Sequence, residues 1–258
     1  MSDPSVKYLV AWPRNGLGDR LKSSSSCWAA AEEMGRRFAL RWVPPIGCDA
    51  HWNQIFRPNL ASFLGDYDRC YEGQDREELI KSGRLKRYKL KQANQLKDSD
   101  HKWIEVCSCY YCSDWNTKEK VRPYLKRLVR PKEDIHQRVK IIISNFTKNT
   151  IGVHIRKTFG GTLEKCYPFV EEFLGSHSDP KIFFCSDTTQ YYYKFAEKYG
   201  DLVVSQRPVV RNRSIMGIRE AITDFCSLSR CNAIVGTKNS SFSEMATILS
   251  DVEDYEWI

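Results

Sequence analysis

The chain has 258 residues, 41% hydrophobic and 12% aromatic, enough apolar material for a substantial core and too much for a disordered chain. Charged residues make up 28%, and 40 Lys and Arg against 32 Asp and Glu leave a net charge of +8, which favours anionic ligands: nucleic acid, a membrane surface or a nucleotide-sugar pyrophosphate. No apolar run reaches the length of about 18 residues that a membrane-crossing helix needs, and MSDPSVKYLVAWPRNG has no charged start followed by a long apolar stretch, so the expectation is an intracellular, cytoplasmic protein without a membrane span.

KYLVAW, residues 7–12, is short, apolar and rich in β-branched and aromatic side chains, and it reads as a buried strand. The turn PRNGLGD follows. A helix is expected from Leu21 to Arg37, with Ala29, Ala30, Ala31 and Met34 on its apolar face. FALRWV, 38–43, reads as a second strand that Pro44 and Pro45 stop. This β–loop–α–β order opens a doubly wound α/β domain. Residues 46–135 are less regular, and the basic run 81–97 reads as a solvated face.

From Asp134 the pattern is cleaner. A helix over 134–146 and the strand TIGVHI, 150–155, come first. Next are a helix from Pro168 to Leu174, with proline where a missing N–H costs little, and the strand KIFFCSD, 181–187. A helix from Thr189 to Tyr199 ends at Gly200, and LVVSQ makes a short strand. The helix Ile215 to Ser229, the strand NAIVGT, 232–237, and the helix Ser241 to Leu249 complete the alternation. Strand and helix in turn predict a second α/β unit with a mainly parallel sheet. The division falls at 1–135 and 136–258, and two such units facing each other would form a cleft at the carboxyl ends of their strands.

The ten cysteines are too few for a disulfide scaffold and read as free thiols, several inside apolar runs such as IFFCSD. The cluster CSCYYC, 107–112, has no second ligand pair at zinc spacing, so its cysteines read as alternating strand positions.

Three segments carry chemistry. Gly16-Leu17-Gly18-Asp19-Arg20 lies between a strand and a helix, where glycines let backbone approach an anion at the helix N-terminus. Lys22 and Ser23 stand where the third glycine of a dinucleotide fingerprint would fall, which argues against an NAD site. The same residues also make a plain tight turn. His154-Ile155-Arg156-Lys157 ends a strand, and a guanidinium there can grip two phosphate oxygens at once or serve as a surface charge. His154 by itself reads as a core histidine. Arg219 and Asp224 lie on one helix, and the Asn239-Ser240-Ser241 run precedes the next, where serines cap the helix or meet a phosphate.

In combination these segments resemble the fucosyltransferase superfamily of nodulation-factor and core α1,6-fucosyltransferases and protein O-fucosyltransferases. NGLGDRLKSSSSCWAAAEEMGRRFALRW is similar to the N-terminal segment of the nodulation enzymes. GVHIRKT resembles the family's H-x-R motif, FFCSDT its (S/T)-D motif, and Arg219 and Asp224 followed by NSS its third motif.

The resemblance implies a GT-B fold, with two Rossmann-like domains and the donor on the C-terminal one. It implies inverting transfer of L-fucose from GDP-fucose to a glycan or other hydroxyl acceptor, with no cofactor and no metal. No DxD-type carboxylate pair stands on a strand-end loop to clamp a metal, so an arginine must neutralise the leaving GDP. By family position that is Arg156, with Lys157 beside it. Asp224 is implied as the guanine contact, Ser240 or Ser241 as phosphate contacts, and Asp187 as support, with His154, Arg219, Gly16, Gly18 and Arg20 also on the donor side. The base is implied to be Glu164, ten residues past the motif His154, with Asp19 as its rival. Phe159 departs from the family, many of whose members carry Asp there. That departure leaves room for a different nucleotide sugar. The basic run leaves a nucleic-acid-binding protein as a third reading, though no nucleic-acid signature accompanies it and none is expected as partner.

Overall fold

A computed structural model describes residues 5–44, 47–57, 71, 74–89, 96–97, 99–112, 114–206, 212–250 and 254–258. Pro45, Cys70 and residues 90–95 of the basic run lie outside them. The chain divides into two compact units, Met1–Arg130 and Pro131–Ile258. No helix among the described residues is long and apolar enough to cross a membrane.

The first unit runs β1 (Tyr8–Pro13), α1 (Leu17–Glu33), β2 (Arg37–Leu40), α2 (Trp52–Ile55), α3 (Arg76–Lys81), β3 (Leu85–Lys89), β4 (Trp103–Ser108) and α4 (Lys118–Leu128). Its four strands pair in parallel in the order β2-β1-β4-β3. Leu9, Val10 and Ala11 of β1 are wholly buried, as their apolar run requires. Helix α1 begins at Leu17, four residues before the expected Leu21, with Gly16 in extended conformation as its N-cap. The apparent loop glycine Gly18 therefore lies inside the first turn. Ala29, Ala30 and Ala31 are buried as their spacing predicts, and so are Ser23 to Ser26. Such serines need partners. Ser26 Oγ donates to the Trp115 carbonyl at 2.6 Å and accepts the Cys112 N–H at 2.6 Å.

Two strands lie in the region expected to be irregular. Part of the basic run is β3, because Leu85 and Tyr88 turn inward while Lys86 and Arg87 stay exposed. Strand β4 is buried along most of its length although Glu105 interrupts its apolar character. Cys107 is on β4, but Cys109 and Cys112 lie beyond its end, so the expected strand alternation through CSCYYC stops at Ser108. All described cysteines are free.

Glu105 sits on the central strand at 0% exposure. Arg76 grips it with two hydrogen bonds, Nε to Oε2 at 2.9 Å and Nη2 to Oε1 at 2.6 Å. The Tyr71 hydroxyl donates to Oε2. Arg41 and Arg87 approach to 3.4 and 3.6 Å. Burial pushes the Glu105 carboxyl up, but the bonds from Arg76 and Tyr71 outweigh it and leave the group below the usual carboxylate range.

The second unit runs α5 (Glu133–Ile143), β5 (Thr150–Ile155), α6 (Leu163–Ser176), β6 (Lys181–Ser186), α7 (Thr189–Tyr199), β7 (Val203–Val204), α8 (Ile215–Leu228), β8 (Ala233–Gly236), α9 (Ser241–Leu249) and β9 (Tyr255–Trp257). Its sheet is parallel throughout, in the order β7-β6-β5-β8-β9. Ile151, Val153 and Ile155 of β5 join Ile182, Phe184, Ala233 and Val235 in one core with Leu163, Cys166, Val170 and Phe173 of α6. That apolar face carries α6 through Pro168, which lies inside the helix and not at its expected start. One lost backbone bond is offset by burial on both sides of it.

Candidate donor-phosphate site

The carboxyl ends of parallel strands are where α/β sheets present ligand-binding loops. In the second unit β5, β6 and β8 end side by side, and their loops carry Arg156, Asp187 and Thr237.

Arg156 follows β5 in extended backbone and starts a single 3-10 turn, Lys157–Phe159. Its N–H donates to Thr237 Oγ1 at 2.9 Å, and Thr237 in turn donates to the His154 carbonyl at 3.1 Å. Its side chain is held by the inner nitrogen. Nε donates to Thr158 Oγ1 at 3.2 Å and lies 4.0 Å from Asp187 Oδ2. Among the described residues the outer Nη groups make no hydrogen bond, so the two-pronged end of the fork stays available. Asp187 accepts the Lys157 N–H at 3.0 Å, the Thr158 hydroxyl at 3.3 Å and the Thr188 hydroxyl at 3.2 Å. It positions the arginine loop from the neighbouring strand. Phe159 is exposed and lies under the guanidinium with 5.4 Å from Cζ to the ring centroid. Support for Arg156 thus comes from Thr158, Asp187 and this ring.

Packing between the loops depends on two glycines. A Cβ on Gly161 would come within 2.6 Å of Thr237 Oγ1, and one on Gly236 within 2.7 Å of Ser243 Cβ. Ser240 caps α9 by backbone position, yet its side chain bonds to no helix N–H. Its hydroxyl is buried with no hydrogen-bond partner among the described residues, at 2% residue exposure. A buried hydroxyl without a partner is costly. The Ser240 N–H donates to the Thr237 carbonyl at 3.1 Å, which ties this cap to the residue that holds Arg156. Ser241 opens α9 and is half-buried. Lys157 is exposed beside Arg156. Together these groups offer a guanidinium fork, an ammonium and a hydroxyl at a helix N-terminus, a combination suited to an anion.

The other expected site residues are placed as follows in the two units. His154 is buried, with Nδ1 2.7 Å from Ser243 Oγ and its ring 4.6 Å from Phe242, so it locks β5 to α9. Arg219 forms an ion pair with Asp134, joining α8 to α5. Asp224 is 2% exposed and accepts from Gln206 Nε2 at 2.6 Å. Gln206 also donates to the Glu220 carbonyl at 2.9 Å. In the first unit Arg20 is fully buried: it donates to the carbonyls of Asn15 and Val43 at 2.9 and 3.0 Å and lies over Trp42, so it shapes the turn from within. Asp19 is half-buried in the first turn of α1, off the loop where it was expected. Glu164 is exposed in the first turn of α6. Its own N–H and the Thr162 hydroxyl hold its carboxyl below the usual range. Among the described residues no His, Cys, Asp and Glu side chains cluster as a metal-ligand set.

Sequence reasoning missed Thr158, Thr237, Ser243 and Gln206. Each is a single polar residue at a strand or helix end, a placement too common to stand out before the loops are seen together.

No family model matches the chain. It is 21% identical to Nodulation protein Z of Bradyrhizobium diazoefficiens, over 95% of this chain and 79% of that protein. Among solved structures it is similar to NodZ α-1,6-fucosyltransferase soaked with GDP-fucose, with a TM-score of 0.68 and 19% identity over 95% of this chain and 93% of that one. It is also similar to POFUT1 in complex with GDP, with a TM-score of 0.65 and 12% identity over 100% and 99% of the two chains. The chain shares the α/β fold of these fucosyltransferase structures, which is the resemblance that its motifs carry.

Proposed function

We propose that the chain is a fucosyltransferase that moves L-fucose from GDP-fucose to a hydroxyl of a glycan or similar acceptor, with inversion and without a metal ion. The second unit serves the donor and the first the acceptor. The carrying observation is Arg156, anchored through Nε with its outer nitrogens unbonded among the described residues, on a loop that Thr237 ties to the Ser240 cap of α9. Such a fork suits the negative charge that develops on the departing diphosphate. The bound GDP-fucose and GDP of the similar structures support the same donor. Asp224 is assigned to guanine: the Gln206 amide now gives it an N–H, and the Watson–Crick edge of guanine offers the same donors in exchange.

The acceptor hydroxyl must lose a proton, and a base works best with a pKa near the operating pH. We assign the base to Glu164, exposed in the first turn of α6, with Asp19 as its rival. Glu164→Gln is expected to lower kcat with little change in the KM for GDP-fucose, while Asp19→Asn keeps wild-type kcat. The reverse pattern gives the role to Asp19.

Donor binding is tested by isothermal titration with GDP, GDP-fucose, GDP-mannose and UDP, with and without EDTA. GDP and GDP-fucose are expected to bind with Kd on the order of micromolar, unchanged by EDTA, with UDP silent. Preference for UDP would keep the fold and discard fucose, in line with the departure at Phe159. Silence toward all four would remove the enzyme reading.

A further inference from the structure

Four guanidinium groups gather around one tryptophan at the carboxyl end of the first unit's sheet. Trp12 is the last-but-one residue of β1. The guanidinium carbons of Arg41, Arg87, Arg14 and Arg76 lie 4.0, 4.6, 4.9 and 5.3 Å from the centroid of its ring. The register explains the convergence. Val10 of β1 pairs with Ala39 of β2 and Glu105 of β4, and Glu105 pairs with Arg87 of β3. Side chains alternate along a strand, so Trp12, Arg41, Glu105 and Arg87 share one face. Arg14 follows β1 and Arg76 opens α3.

Among the described residues the carboxylates at these arginines are buried Glu105 and exposed Glu77, which pairs with Arg76. Glu105 is largely taken by Arg76, through both of its oxygens. Arg87 is 40% exposed and reaches Glu105 only at 3.6 Å. Arg14 pairs with no carboxylate among the described residues. The Trp12 ring holds these cations by cation–π attraction and so presets their forks. Arg14 and Arg87, preset on this ring at the strand ends where α/β sheets bind ligands, form a receptor for an oxyanion.

We propose that Arg14 and Arg87, held on Trp12, bind an acidic group on the acceptor sugar, a carboxylate or a sulfate ester. Its identification as an acceptor subsite rests on the fucosyltransferase reading; the oxyanion site itself does not. The donor's phosphates are assigned to the other unit, so the two sites are tested separately.

The test is isothermal titration of the full chain with a neutral chitin hexamer, a galacturonate hexamer, a heparin hexasaccharide and a thymidylate 15-mer. The proteins are wild type, the double variant Arg14→Gln/Arg87→Gln and the charge-matched control Arg138→Gln/Lys140→Gln, whose residues are exposed on α5. At least one acidic hexamer is expected to bind wild type and control alike, at least tenfold more weakly to the double variant, with the chitin hexamer silent and the GDP affinity equal in all three. Galacturonate binding identifies a carboxylate; heparin binding without it identifies a sulfate ester. Equal weakening in the control, binding of the neutral hexamer as tight as the acidic ones, or silence toward both acidic hexamers overturns the proposal. Tighter binding of the thymidylate with the same sensitivity replaces it with a nucleic-acid site. Loss of the donor reading alone would appear as absent GDP binding with the acidic-sugar result intact.

Discussion

Arg156→Ala is expected to reduce kcat/KM for GDP-fucose by a factor on the order of 10²–10³, with most of the loss in kcat. Only the side-chain contacts of this residue with Thr158, Asp187 and the Phe159 ring disappear, and all are near the surface. The N–H bond to Thr237 survives in alanine, so the loop keeps its backbone attachment. Thermal unfolding should therefore match that of wild type. Arg156→Lys keeps a positive charge but loses the planar fork, and it should recover only part of the lost rate. Turnover by the alanine variant at the wild-type rate would show that the leaving diphosphate is neutralised elsewhere.

Glu105→Gln is the second large effect, and it falls on stability. The substitution keeps the shape of the side chain and removes the charge that Arg76, Arg41 and Arg87 face. Breaking a buried ion pair from one side costs about 3–5 kcal/mol, because the remaining cations stay buried without compensation. Urea unfolding of the two proteins at neutral pH measures this. The pH dependence supplies a check on mechanism. The Glu105 carboxyl is depressed in the folded chain, so its contribution is complete above the usual carboxylate pKa and is lost as pH falls through the lower folded value. Wild type and variant should therefore converge in stability on acidification below about pH 4. A gap that persists unchanged into acid would mean that shape, and not charge, holds the network.

The same glutamate shows why the first unit was harder to read than the second. In the second unit β5, β6 and β8 are apolar runs, and helices with clear stop signals alternate with them, so local pattern and final structure agree. Strand β4 carries a carboxylate at its centre, and β3 lies in a run of lysines and arginines. Each looks solvated in isolation. The charges of one become tolerable beside those of the other only when the strands pair, a long-range fact that no window of sequence contains. The start of α1 was missed for a local reason: Gly16 and Gly18 look like loop residues, yet one caps the helix and the other lies in its first turn. Motif positions around Arg156 and Asp187 were legible because they follow strands that were legible. The contacts of Arg20 and Arg219 were not, since they depend on carbonyls and carboxylates far along the chain, such as Val43 and Asp134.

The stitching of the second unit's strand ends bears on how such proteins can be re-engineered. Thr237 holds the backbone of Arg156 and the carbonyl of His154, while Asp187 holds Lys157 and Thr158. The arginine loop is therefore not a cassette. A graft of residues 156–161 from a relative with another sugar preference would arrive without its fasteners unless the recipient's 187 and 237 positions were exchanged with it. The strand-end loops of this architecture are inherited as a set of three.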